Sequence, residues 1–167
     1  MRFRVLVGGL CAAAMLLVAT GAFAQPSVFS GRSIAPDTVK AFTLVTDASD
    51  IVQVVATANN ARTDLDIMIT TEVDGEEVVI VDSKSGVLQY ELAAAGLLGA
   101  STYKVMITNV DGPSSRWQVV FSSPGGTDVT SGARLQVREA GEFSLDGPVD
   151  PQFEGVQRLM QDRAARR

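Results

Sequence analysis

The sequence predicts an all-β protein, an antiparallel β-sandwich, and three observations carry that reading. Short runs rich in Val, Ile, Thr and Phe recur from Thr38 to Ser122, with apolar and polar side chains alternating at a period of two. Clusters of Asp, Gly, Ser and Pro punctuate them at short intervals. No gap between them holds the long helical period that a parallel sheet needs for its crossovers.

Taken in order, Val39–Thr46 and Ile51–Ala58 read as two strands around the turn Asp47-Ala48-Ser49-Asp50. Leu65, Ile67 and Ile69 alternate with Asp66, Met68 and Thr70, the pattern of a half-buried strand. Asp74-Gly75 is the strongest hairpin signal, with Glu77–Val81 as the return strand. Leu88, Tyr90 and Leu92 alternate with Gln89 and Glu91, as do Tyr103, Val105 and Ile107 with Lys104, Met106 and Thr108. After the turn Asp111-Gly112-Pro113, Trp117, Val119 and Phe121 close the series. Evenly spaced short strands of this kind point to a sandwich. Glu91–Ala100, rich in Ala and Leu but broken by Gly96 and Gly99, reads as a strand end followed by a loop or one helical turn.

The ends are different in character. Met1-Arg2-Phe3-Arg4 is a positive leader, Val5–Val18 is apolar, and Ala22-Phe23-Ala24 is a small-x-small cleavage pattern. Residues 1–24 therefore read as a signal peptide, too short in its apolar part to span a bilayer. Cys11 sits behind Leu10 inside the apolar run, so it does not read as a lipid-attachment site. Residues 25–37 form an N-terminal segment, 38–123 the sandwich domain, and 124–149 a linker or a small hairpin around Ala140-Gly141. Residues 150–167 are a C-terminal helix or a flexible tail. For the helix, Asp150 supplies the cap, Pro151 the first position, and Phe153, Val156 and Met160 one face.

Composition excludes several chemistries. The sequence has no His, and its single cysteine is Cys11. Past the leader, thiol nucleophiles, His bases, Ser-His-Asp triads and ordinary zinc sites are ruled out. The 14 basic side chains less Arg2 and Arg4 leave 12 against 19 acidic ones, a formal charge of −7. That balance argues against nucleic acid as a partner.

Three stretches carry a family resemblance: Thr63-Asp64-Leu65-Asp66-Ile67-Met68-Ile69, an early D-x-D strand; Leu88–Leu92 with Ser101–Ile107, paired late strands around a Thr-Tyr turn; and Arg116–Phe121, a closing strand. From about Ser33 to Ser123 the chain resembles the bacterial pre-peptidase C-terminal domain family. The resemblance implies a jelly-roll-like sandwich on exported proteins, usually an accessory to a secreted enzyme, with polymer or calcium binding in some relatives. Ala100-Ser101 stands where that family more typically has a glycine, and the sequence holds no enzyme domain beside the match.

The candidate metal ligands are Asp64 and Asp66, two apart on one strand and so on one side of it, opposite Leu65 and Ile67. Asp47, Asp50, Asp82 and Asp111 lie at turns where they could join them around calcium, which takes six to eight oxygens. Plain solvated turn and strand residues explain the same acids. Lys40, Lys84 and Lys104 with nearby serines raise a Ser/Lys dyad, but no S-x-x-K or G-x-S-x-G pattern accompanies them. A carboxylate hydrolase would need two acids converging in a cleft, about 5–10 Å apart. The aromatic residues Trp117, Tyr103 and Tyr90 all fall on the faces expected to be buried, which weighs against a sugar-stacking strip. The expected function is therefore a non-catalytic exported binding or accessory module, periplasmic or extracellular. Its partner would be an envelope or extracellular protein, a polymer, or its own copies, with no cofactor and no membrane span. A calcium-stabilised polysaccharide- or matrix-binding module is the alternative.

Overall fold

Alternating β-branched and polar residues build two antiparallel sheets, seen in a computed structural model that describes residues 26–46, 49–84, 90–98, 101–123 and 135–166. The strands are β1 Ser27–Ile34, β2 Thr38–Thr46, β3 Asp50–Ala58, β4 Asp64–Val73, β5 Glu76–Ser83, β6 Tyr90–Leu97, β7 Ser101–Asp111, β8 Ser115–Ser122 and β9 Leu135–Ser144. One sheet has the order β1-β8-β3-β6 and the other β5-β4-β7-β2-β9. Every connection except β4–β5 carries the chain from one sheet to the other. That exception is the expected hairpin. Asp74 and Gly75 both have positive φ, 54° and 82°, the conformation that lets a two-residue turn follow the twist of its strands.

The inner faces of the sheets enclose the main core. Phe42, Phe121, Leu44, Leu65, Ile67 and Ile107 are fully or almost fully buried there. Phe42 is its centre, with ring centroids 5.1 Å from Phe29, 5.3 Å from Phe121 and 6.1 Å from Trp117. Burying such side chains stabilises the fold by about 1.5–3 kcal/mol each. Trp117 fits because Gly31 faces it from β1: a Cβ there would lie 2.4 Å from the indole Nε1.

A third layer covers the outside of the five-stranded sheet. Asp150 caps the turn Pro151–Phe153 by accepting from the Gln152 N–H at 3.1 Å, and α1, Glu154–Ala164, continues from it. Phe153, Val156 and Met160 pack on Val39, Ala41, Met68, Met106 and Phe143. The Phe153 ring stacks on Phe143 with centroids 5.7 Å apart. Gln157 and Gln161 donate to the Leu145 carbonyl at 3.0 and 2.6 Å, fixing the helix to the chain that leads into it. Residues 150–164 are thus a docked helix.

Four expectations need correction. The N-terminal segment forms a strand, β1, paired with β8. Leu135–Ser144 is one strand and not a hairpin. It follows β2 throughout, and Ala140-Gly141 forms a bulge where Ala41 pairs with Gly141 and Phe42 with Glu139. β4 is buried on both faces from Asp64 to Thr70 because α1 lies over the side read as solvated. The Ala/Leu-rich stretch after Glu91 continues as strand β6 to Leu97, since each residue from Tyr90 to Leu97 pairs with β3. The leader, the turn residues Asp47 and Ala48, and the linker 124–134 lie outside the described residues. Among the described residues, no helix is long and apolar enough to cross a membrane.

Candidate binding face

Among the described residues nothing packs over the outer face of the four-stranded sheet, and its side chains fall into rows set by strand register. Val28 pairs with Val120, Val120 with Val55, and Val55 with Leu92. These four cross the whole sheet as one apolar row. Beside it runs a polar row, Ser30, Gln118, Thr57 and Tyr90, each again the register partner of the next. On the other side lie Ser122, Gln53 and Ala94. Val28 and Leu92 are 52% and 53% exposed and Tyr90 is 56% exposed, while Val55 and Val120 in the middle are half-buried by their neighbours. Arg32 and Arg116 project at one end. The described part of this face exposes no carboxylate, in a chain whose formal charge is −5.

β6 presents this surface because its alternation is the reverse of that expected. Glu91, Ala93, Ala95 and Leu97 point inward, and Tyr90 and Leu92 point out. A shift of one residue in strand register exchanges the two faces completely. The Ser83 hydroxyl stands within hydrogen-bond reach of both the buried Glu91 carboxylate and the Leu92 carbonyl, the latter 2.8 Å away. Trp117 and Tyr103 are buried as expected, Tyr103 accepting from the Leu98 N–H at 2.7 Å. Leu88 lies outside the described residues.

The acids proposed for a metal are placed otherwise. Asp64 is mostly buried at the start of β4, across from Asp111, whose carboxylate accepts from its own turn at Gly112 N, 2.7 Å away. Asp66 is fully buried under α1, and the cation it meets is the guanidinium of Arg163, at 2.7 Å. Asp82 meets the same guanidinium at 2.7 Å and Lys84 at 2.9 Å. Among the described residues, no three His, Cys, Asp or Glu side chains group so as to hold a metal ion.

A cavity of about 690 Å³ lies between the β4–β5 hairpin and the start of α1. Glu77 reaches into it, with Thr70 donating to one oxygen and Lys104 to the other at 2.6 Å. Its stem lies against Gly155, where a Cβ would come within 3.2 Å. Lys40 pairs with Glu142 and stands 5.3 Å from the Trp117 ring centroid. Each lysine raised for a dyad is thus engaged by a carboxylate.

No family model matches the chain, and comparison with curated proteins finds no match. Among solved structures the chain is similar to the mitogen from Yersinia pseudotuberculosis. That match has a TM-score of 0.46 and 10% identity, and covers 66% of this chain and 95% of that one.

Proposed function

We propose that this chain is a non-catalytic exported β-sandwich, a binding or accessory module of the cell envelope or the extracellular space. Its contact surface is the outer face of the four-stranded sheet. The observation that carries this reading is the Val28–Val120–Val55–Leu92 row, half-exposed at both ends and flanked by uncharged hydrogen-bonding side chains. An apolar strip with a polar margin is the composition of a recognition surface. Export rests on the residues Met1–Ala24, and the accessory role on the resemblance to the pre-peptidase C-terminal domain family.

A second reading, a polysaccharide- or matrix-binding module, is favoured by Tyr90, whose exposed ring stands at the end of a row of Gln, Thr and Ser. Both readings are tested by co-sedimenting the protein with isolated envelope polymers and by titrating it onto immobilised envelope proteins. Saturable binding that Leu92→Glu abolishes, and that Glu154→Gln on the opposite side of the molecule leaves intact, supports the face. Binding unaffected by Leu92→Glu, or absent throughout, rejects it.

A further inference from the structure

We infer that a small pocket beneath the end of α1 is a binding site for a primary ammonium group carried on a short aliphatic chain. The pocket, about 270 Å³, lies where the last turn of α1 meets β7, the turn before β2 and the residue after β9. Thr108 and Val110 of β7, Leu145, Met160 and Arg163 line it together with the exposed Asp37.

Thr108 gives the first indication. It is the register partner of Val39 and of Asp66, both on the side of the sheet that α1 covers, so its side chain lies on that side too. It is 1% exposed, and its hydroxyl has no hydrogen-bond partner among the described residues. A buried hydroxyl left unpaired costs stability that a valine in its place would not. Met160, unbranched and adaptable, lets the pocket deepen toward that hydroxyl.

Asp37 gives the second. The Thr38 N–H donates to the Ala35 carbonyl at 3.2 Å across a turn centred on Pro36 and Asp37. Asp37 has a φ of 57°, a conformation that glycine or asparagine adopts more readily at this place in a turn. Its N–H donates to the Asn109 carbonyl at 2.9 Å, and its own carbonyl accepts from the Leu145 N–H at 3.0 Å. The backbone that carries this acid is therefore fixed to two other segments at the pocket. Its carboxylate takes part in no ion pair among the described residues.

Charge and shape select the ligand. Arg163 is the cation of the lining, but its Nη2 already faces Asp66 and Asp82, each at 2.7 Å, and the Ser83 carbonyl at 3.2 Å. With Asp37, three carboxylates thus surround one guanidinium, which favours a cation in the pocket over an anion. An ammonium group has three donors, enough for the Asp37 carboxylate and the Thr108 hydroxyl oxygen together. Val110, Leu145 and Met160 offer apolar wall to the chain behind it. The volume holds about nine groups of the size of water, at roughly 30 Å³ each, so the ligand is small. A free alkylamine and the end of a lysine side chain share this chemistry.

Calorimetric titration of the purified protein with n-pentylammonium, pentanoate and 1-pentanol tests the inference, with melting temperatures measured alongside. Saturable binding of pentylammonium that raises the melting temperature is expected, with roughly tenfold weaker binding of pentanol and none of pentanoate. Asp37→Asn, which suits the same turn, should weaken binding about tenfold. Thr108→Val should weaken it about threefold, yet melt at or above the wild-type temperature without ligand. A hydroxyl with a purely structural role would lower that temperature when removed. Glu76→Gln, in the cavity at the other end of α1, should change neither quantity. Absence of saturable binding, equal binding of pentanoate, or binding that both pocket variants leave unchanged overturns the inference, as does a lowered melting temperature for Thr108→Val. Titration with Nα-acetyl-lysine amide separates the two sources. Tighter binding than pentylammonium assigns the pocket to a partner's lysine, and weaker binding assigns it to a free amine.

Discussion

Arg163, near the end of the C-terminal helix, lies 2.7 Å from a carboxylate oxygen of Asp66 on β4, and both side chains are at least nine-tenths buried. Their attraction acts in a poorly solvated layer between helix and sheet, where removing one partner strands the other charge. Arg163→Met should therefore destabilise the protein by about 3–5 kcal/mol, read from its urea midpoint. Asp66→Leu combined with Arg163→Met should recover much of that loss, because no buried charge remains at the pair.

The same pair bears on calcium. A ligand that binds only the folded state at a hundredfold above its Kd adds about 2.7 kcal/mol of stability. With Asp66 facing a guanidinium, millimolar calcium and a chelator should give the same melting temperature. A clear rise with calcium would show that Asp64 and Asp66 accept the ion despite Arg163.

Gly31 makes room for the one tryptophan in the sequence. Its Cβ position lies 2.4 Å from Trp117 Nε1, so Gly31→Ala forces the indole or β1 to move. The expected cost is about 1–3 kcal/mol. Trp117 emission, the sole indole signal, should shift as the ring leaves its packed position.

Phe153 joins the helix to the sheet through Phe143 and is 2% exposed. Phe153→Ala should cost about 3–5 kcal/mol in chemical denaturation, as for other buried aromatic truncations. Weaker protection of α1 amides in hydrogen exchange would show that the loss falls on the docked helix.

How much of this was legible in the sequence depends on how local each cause is. The strands from Val39 to Phe121 and the Asp74-Gly75 turn follow from neighbouring residues, and each is present where its residues are described. β1 was missed because Ser27-Val28-Phe29-Ser30-Gly31 is a weak strand on its own, made regular by pairing with β8. Asp66 reads as solvated in the sequence because the residue that meets it, Arg163 on α1, lies about a hundred residues downstream. β6 was read with the wrong face outward since Tyr90-Glu91-Leu92-Ala93 suits either register, and pairing with β3 decides between them. The proposed contact face has no motif because it is a row across strands, assembled from single residues of four separate segments. One trace was present: the outward positions Gln53, Val55, Gln118 and Val120 are uncharged in an acidic chain.

The alternation of the chain between sheets has a kinetic consequence. Only β4 and β5 can pair as soon as both exist; β3 waits for β6 and β8, β2 for β7 and β9, and β1 for β8. Each of those ladders closes a long loop, whose entropy must be lost before any contact compensates. Folding dominated by such distant pairings is slow, on the order of milliseconds to seconds for small domains. The chain therefore spends an extended interval as an open polymer, its Val- and Ile-rich segments accessible to whatever meets it first, and acquires its sheets nearly together once β7 to β9 are in place.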